Sequence, residues 1–195
     1  MEVNVLAEHG YEEAKYGFSL SYKPSDREPD NWWEPGKSRH FDTVVAANAS
    51  REGGHNKFLE HIMLWVDIQA SLEWWKQCDT YRIGVSKQSE STMHTLKEYS
   101  ITIDDMDFSQ GERDSMQGSL LEDTVESYLN IISMAPERIK SKLLPQGFKQ
   151  RREVLLSYKV LRGIYKQRKG HRLPDWDYFL DSMLKQVQYP FFITD

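Results

Sequence analysis

The sequence predicts an α/β fold of the α+β kind, a mixed sheet with a long central helix and C-terminal helices. Three observations predict it. Residues 2 to 6, Glu-Val-Asn-Val-Leu, alternate polar and apolar, as does Gly17-Phe-Ser-Leu-Ser-Tyr22, the period-two mark of half-buried strands. From Phe58 to about Lys76 the apolar residues recur at helical spacing, Leu59, Met63, Val66 and Ala70 on one stripe and Ile62, Trp65 and Leu72 on a second. A helix apolar around so much of its circumference belongs in the centre of a fold. The last third carries two more helical stretches, Gln150 to about Lys169 and Asp175 to about Lys185, parted by Gly170 and the start signal Leu173-Pro174-Asp175.

The remaining segments follow from their punctuation. Lys23 to Arg39 holds Pro24, Pro29, Pro35 and Gly36 around Trp32 and Trp33 and reads as a long ordered loop, its tryptophans either roofing a pocket or plugging the core edge. Gly53-Gly54 ends what precedes the central helix and Asn56 is suited to cap it. Thr80 to Thr95, with the polar run Ser86 to Thr92, reads as extended or looped, Ile101 to Gly118 as an acidic excursion, and Leu120 to about Met134 as a helix. Val154, Leu155, Tyr158, Leu161 and Tyr165 form the inner face expected of the helix beginning near Gln150. At 195 residues the chain is expected to be a single domain, 1–195.

Composition excludes several classes. With 39% apolar and 28% charged residues and a mean hydropathy of −0.68, the chain is neither disordered nor a membrane protein. Its most apolar stretch, Ile62 to Leu72, is interrupted by Asp67 and Gln69 and falls short of the roughly 20 residues a span needs. The acidic start, Met1-Glu-Val-Asn-Val-Leu-Ala-Glu-His, lacks the basic and apolar segments of a secretory signal, so a cytoplasmic location is expected. Cys78 is the only cysteine, which rules out an internal disulfide and a thiolate-rich metal site. A net charge of −5 argues against wrapping duplex nucleic acid, because that affinity comes from neutralised phosphates.

Three constellations can carry chemistry. Gly54-His55 and Glu60-His61 flank the start of the expected central helix. The spacing differs from the helical His-Glu-x-x-His zinc site, so no metal is expected; a helix start offers unpaired N–H groups to an anionic ligand, or the pair simply ties the helix to a neighbour. Tyr81 to His94 offers Arg82 and Lys87 as cations, Gly84 for close backbone approach, and Ser86, Gln88, Ser89 and Ser91 as short donors. That is equipment for phosphate, sugar and a base edge, or a solvated polar loop. Lys166, Arg168, Lys169, His171 and Arg172 cluster at an expected helix C-terminus, where they either complement the dipole or help close a pocket.

Taken in order, Gly54-His55, Glu60-His61, and Arg82-Ile83 running into Ser86-x-Gln88-Ser89-x-Ser91 resemble the signature of the flavin-dependent thymidylate synthases, which reads Gly-His, Glu-His, then Arg-His-Arg-x-x-Ser-x-Asn-Glu-x-Ser-x-Arg-Tyr. The resemblance implies a ThyX-like fold, FAD as cofactor, a nucleotide ligand, and a homo-oligomer, a tetramer, whose pockets draw on more than one subunit. It implies ligand-binding roles for His55, Glu60, His61, Tyr81, Arg82, Ser86, Lys87, Gln88, Ser89 and Ser91, with Arg168 and Arg172 as substitutes for missing arginines.

The departures bear on catalysis. Tyr81, Arg82 and Ile83 stand where the signature has Arg-His-Arg, Gln88-Ser89 where it has Asn-Glu, and Met93-His94 where it has Arg-Tyr. The resemblance gives the arginine at Met93 the task of polarising the pyrimidine, puts a small hydroxyl residue for flavin phosphate at Trp65, and a phosphate-gripping arginine near Phe179. No catalytic residue is therefore assigned, and FAD binding is doubtful. The segment Leu144 to Trp176 is similar to proteins of tailed bacterial viruses and prophages. The expected function is a noncatalytic nucleotide binder of viral origin that sequesters a host nucleotide signal. The alternatives are a divergent flavin enzyme of pyrimidine metabolism and a structural or protein-binding role.

Overall fold

The computed structural model of the chain describes residues 1–22, 45–51, 53–97 and 99–194. The expected loop at 23–39, with Trp32 and Trp33, lies outside the described residues. Four strands, β1 (Glu2–His9), β2 (Met63–Ser71), β3 (Val85–Ser89) and β4 (Lys149–Ser157), form one sheet in the order β1-β2-β4-β3. The α/β class holds, and several elements within it differ from expectation.

The expected strand at the start is present as β1. Its outer edge is closed by one side chain: the Val5 N–H donates to Gln186 Oε1 at 2.9 Å, and Gln186 Nε2 donates to the Val3 carbonyl at 2.9 Å. The second expected strand, 17–22, is instead the end of the helix Tyr11–Ser19 and the 3-10 turn Leu20–Tyr22. Gly10 starts that helix in the left-handed region, at φ 100°, and its carbonyl accepts from the Ala14 N–H at 2.8 Å. Ala14 and Lys15, and Ser19 about one turn further on, are the residues it buries.

The largest correction concerns 58–76. In place of one helix, the chain runs through the 3-10 segment Gly53–Glu60, then β2, then the short helix Leu72–Cys78. Leu64, Val66, Ile68 and Ala70 alternate as buried residues along β2, and the residues between them are half-buried. A central strand covered on both faces reads as a nearly continuous apolar run, so helical stripes could be drawn through it by chance. Ser71 ends the strand and caps the helix, accepting from the Trp74 N–H at 3.2 Å. Asn56, expected as an N-cap, is buried inside the 3-10 segment and donates from Nδ2 to the Ala49 carbonyl at 3.1 Å.

The expected helix from Gln150 is likewise a strand followed by a helix. Val154 and Leu156 are buried on β4, and Ser157 turns the chain into the helix Tyr158–Arg168 by accepting from the Val160 N–H at 3.3 Å. The helices Leu120–Met134 and Asp175–Gln186 fall where expected. The acidic excursion contains the 3-10 turn Ile103–Asp105 and the helix Gln110–Met116, opened by a capping box of Ser109 and Glu112. No helix among the described residues is long and apolar enough to cross a membrane.

The chain groups into two compact units. One comprises Met1–Glu2, Asp67–Arg82 and Lys87–Glu153. Its core is Leu96, Ile101, Met106, Leu129, Ile132 and Phe148. The other comprises the described residues of Val3–Val66, Ile83–Ser86 and Val154–Asp195. Phe58, Leu59, Leu64, Tyr158, Trp176 and Phe192 are among the large residues it buries.

Candidate functional site

A cleft of about 380 Å³ opens in the second unit at the start of the helix Tyr158–Arg168, lined by Glu60, Met63, Ile83, Gly84, Ser157, Lys159 and Val160. That volume is within the range of small-molecule sites. The sequence builds it at a strand-to-helix junction. The first N–H groups of a helix have no partner within it; here the Tyr158 N–H donates to the Ile62 carbonyl at 2.9 Å and the Val160 N–H to Ser157 Oγ. Lys159 lies between them, its ammonium donating to Asn56 Oδ1, so the buried Asn56 amide sets the position of the one cation that lines the cleft among the described residues.

Gly84 brings the turn before β3 against this helix start. Its φ is 70°, and a Cβ there would sit 3.0 Å from Val160 Cγ2. Glycine meets both demands, the left-handed backbone and the close approach. Ile83 beside it is 93% exposed. Under the helix start, the Tyr158 hydroxyl donates to Glu8 at 2.6 Å and accepts from the Tyr189 N–H at 3.3 Å. Burial, and then the bond to Glu8, push this phenol well above its ordinary pKa, so it stays protonated. The helix's positive end and the Lys159 ammonium suit an anion, and Met63, Ile83 and Val160 offer apolar surface to a ring.

The predicted residues are distributed as follows. Glu60 lines the cleft. His55 and His61 are exposed and are not among its lining residues. The helix start expected at Glu60-His61 is absent: Glu60 ends the 3-10 segment, and the His61 N–H donates back to the Phe58 carbonyl in a turn that leads into β2. The positive helix end belongs instead to Tyr158–Arg168.

Arg82 is exposed and makes no hydrogen bond or ion pair with the described residues. Ser86, Gln88 and Ser89 are exposed on β3. Lys87, between them, is drawn into structure, donating to the Cys78 carbonyl at 2.8 Å and to Asp79 Oδ1 at 3.0 Å; the Tyr81 carbonyl also accepts from it, at 3.4 Å. Ser91 stands at the N-cap position of the short helix Thr92–Thr95, without a capping bond from its side chain, and Met93 and His94 lie in that helix.

At the far end of Tyr158–Arg168, the Arg168 guanidinium stacks 4.9 Å from the Trp176 ring, with Nη1 3.2 Å from His171 Nε2. Lys169 pairs with Asp181 at 2.7 Å and Asp177 at 3.4 Å. Arg172 is exposed. None of these residues lines the cleft. Trp65 is half-buried on β2 and meets His9 edge-on at 5.9 Å, and Phe179 is buried core. Among the described residues no group of three or more His, Cys, Asp or Glu could hold a metal ion.

Sequence reasoning missed Ser157 and Lys159 because it ran a helix through them. A signal was present: Ser157 follows the β-branched and aliphatic run Val154-Leu-Leu156 and precedes a helical stretch, the position of an N-cap.

No protein-family model matches the chain, and no curated protein matches it either. Solved structures do. A crystal structure of thymidylate synthase X (ThyX) from Helicobacter pylori with FAD and dUMP superposes with a TM-score of 0.75 at 12% identity, covering 100% of this chain and 98% of that one. A second structure of the flavin-dependent enzyme from the same organism, also with FAD and dUMP, gives 0.74 at 12% identity, covering 100% and 99%. With so few identical residues the likeness speaks for architecture alone, and over its full length this chain has the fold of the flavin-dependent thymidylate synthases.

Proposed function

We propose that this chain binds a nucleotide at the cleft beside Lys159 and does not convert it. The observation that carries the reading is the meeting of one oriented ammonium, one helix N-terminus and an apolar wall in a nucleotide-sized cleft. Its support from outside is a fold shared with proteins solved with FAD and dUMP.

The residues present do not fit a flavin pyrophosphate well. Among the described residues Lys159 is the one cation lining the cleft and Glu60 lines it too, so two phosphates would meet no net positive charge from these side chains. Trp65 and Phe179 are bulky where the resemblance calls for a hydroxyl and an arginine, and Met93 replaces the arginine that would activate the pyrimidine. In this reading FAD is not resident, and no chemical step passes through it. The biological role is that of a viral protein in a bacterial cytoplasm, a homotetramer that withdraws a host nucleotide signal by holding it.

The test is calorimetry of the purified chain with dUMP, the common ribonucleotides and cyclic dinucleotides, together with mass spectrometry of what is released on denaturation. At least one nucleotide is expected to bind, and Lys159→Met to weaken it by about ten- to a hundredfold, the worth of one charge-assisted hydrogen bond. No dTMP is expected from dUMP, methylene-folate, FAD and reduced nicotinamide. Rescue of a thymidine-requiring bacterium would replace this reading with a divergent flavin enzyme, which the FAD- and dUMP-bound neighbours favour. Failure of every nucleotide to bind would leave a protein-binding role.

A further inference from the structure

The first unit carries a groove of its own, built from residues that the Lys159 cleft does not use. An open cavity of about 430 Å³ is lined by His94, Thr95, Lys97 and Tyr99. Thr95 and Tyr99 also border a recess of about 160 Å³ that extends to the sheet, where Gln69 of β2, Glu90 just after β3 and Lys149 of β4 join Asp105 and the buried Leu96 and Phe148. Sharing two walls, the two spaces form one groove.

Its carboxylates are already bonded within the chain. Asp105 Oδ1 accepts from the Tyr99 hydroxyl at 2.7 Å and its Oδ2 from the Thr102 N–H at 2.8 Å, and Glu90 Oε1 accepts from the Arg151 N–H at 3.0 Å. Its cations are not: His94, Lys97 and Lys149 make no hydrogen bond or ion pair with the described residues. Behind the wall, Lys140 is 3% exposed and donates to the Leu96 carbonyl at 2.9 Å and the Tyr99 carbonyl at 3.2 Å, with no carboxylate partner among the described residues. A buried ammonium without a counter-ion is costly, and an anion in the groove it backs would offset that cost.

We propose that this groove binds a phosphate monoester of a small polyhydroxylated compound, a sugar phosphate, with the phosphoryl group beside His94 and Lys97 and the hydroxylated body in the recess. Ammoniums serve phosphate as point charges, and three of them, Lys97, Lys140 and Lys149, stand here against Glu90 and Asp105 on a chain of net charge −5. In the recess the Gln69 carboxamide, the Lys149 ammonium and Glu90 Oε2 offer donors and an acceptor to hydroxyls. Its volume falls below the roughly 300 Å³ at which small-molecule pockets begin, so it suits one sugar and not a nucleoside. The inference does not rest on nucleotide binding at the Lys159 cleft.

Calorimetry of the full chain with ribose 5-phosphate, inorganic phosphate and ribose tests this. Ribose 5-phosphate is expected to bind at millimolar concentration or below, more tightly than either fragment. Lys97→Met and Lys149→Met should each weaken it by about ten- to a hundredfold, the worth of one charge-assisted hydrogen bond, with circular dichroism unchanged. Lys159→Met should leave it unaltered, which separates this groove from the nucleotide cleft. In the wild-type protein, the imidazole proton resonance that His94→Gln removes should shift as ribose 5-phosphate is added. No binding of ribose 5-phosphate, equal affinity for inorganic phosphate, unaltered affinity in both groove variants, loss of binding in Lys159→Met, or a His94 resonance that stays in place would each overturn the proposal.

Discussion

The Lys87 ammonium donates to Asp79 at 3.0 Å, tying β3 back to the end of the helix Leu72–Cys78. Arg152 holds the same carboxylate from β4, Nη1 lying 3.1 Å from each oxygen, while its guanidinium covers Trp75 at 4.4 Å. Partial burial raises the pKa of Asp79, but the bonds from Lys87 and Arg152 outweigh it and hold the carboxyl below its usual range. A carboxyl depressed in the folded state contributes stability above its unfolded pKa and loses it as pH falls through the folded one. Urea midpoints should therefore fall in acid more steeply for the wild type than for Asp79→Asn. The difference at neutral pH should be no more than about 1 kcal/mol, because the carboxylate is half exposed.

Lys87 and Arg82 are separated by the same network. Lys87→Ala should lower the melting temperature, since it removes three tethers at once. Arg82→Ala should leave melting nearly unchanged, since Arg82 is exposed and makes no hydrogen bond or ion pair with the described residues. A melting temperature lowered as far by Arg82→Ala as by Lys87→Ala would show that the three tethers are not what Lys87 contributes.

Gly84 is the backbone element of the cleft least able to change. Gly84→Ala adds the left-handed strain of about 1 to 2 kcal/mol to a contact with Val160 that is already tight. A lowered unfolding free energy is expected, with nucleotide affinity reduced as the turn moves off the helix start. Equal stability in urea would show that Val160 gives way freely.

Tyr99 donates to Asp105 at 2.7 Å, and that bond, with burial and the charges of Asp105 and Asp104, pushes its pKa up to about 12 from 10.0. A phenol whose pKa is raised on folding contributes stability that is complete below pH 10 and is lost as pH climbs toward 12. Tyr99→Phe should flatten the alkaline limb of the stability profile over that window. An unchanged limb would show that the bond contributes nothing to folding.

What the sequence disclosed depended on how one-sided each element's environment is. Leu120–Met134 and Asp175–Gln186 each bury one face and leave the other exposed, and their apolar spacing could be read directly. β2 is covered on both faces, so its alternation was masked by Met63 and Trp65 between the buried positions. At Ser157 strand passes into helix with no glycine or proline between, and one continuous helix fitted the apolar residues equally well. The cleft was half legible for the same reason: Glu60 and Gly84 sit in recognisable polar or glycine-marked segments, whereas Lys159 acquires its place from Asn56, about a hundred residues earlier, a pairing that no local spacing announces.

The Gln186 carboxamide, with its oxygen toward Val5 and its nitrogen toward Val3, does for β1 what a neighbouring strand would do. An open strand edge is a template for runaway polymerisation, and long edges are ordinarily blunted by charge, proline or a bulge. Here one helical side chain occupies the ladder at its middle, so an incoming β-segment must first evict it. The two valines can then stay β-branched and apolar without recruiting fibrils. Solubility on storage, not folding itself, is where the loss of Gln186 would be felt.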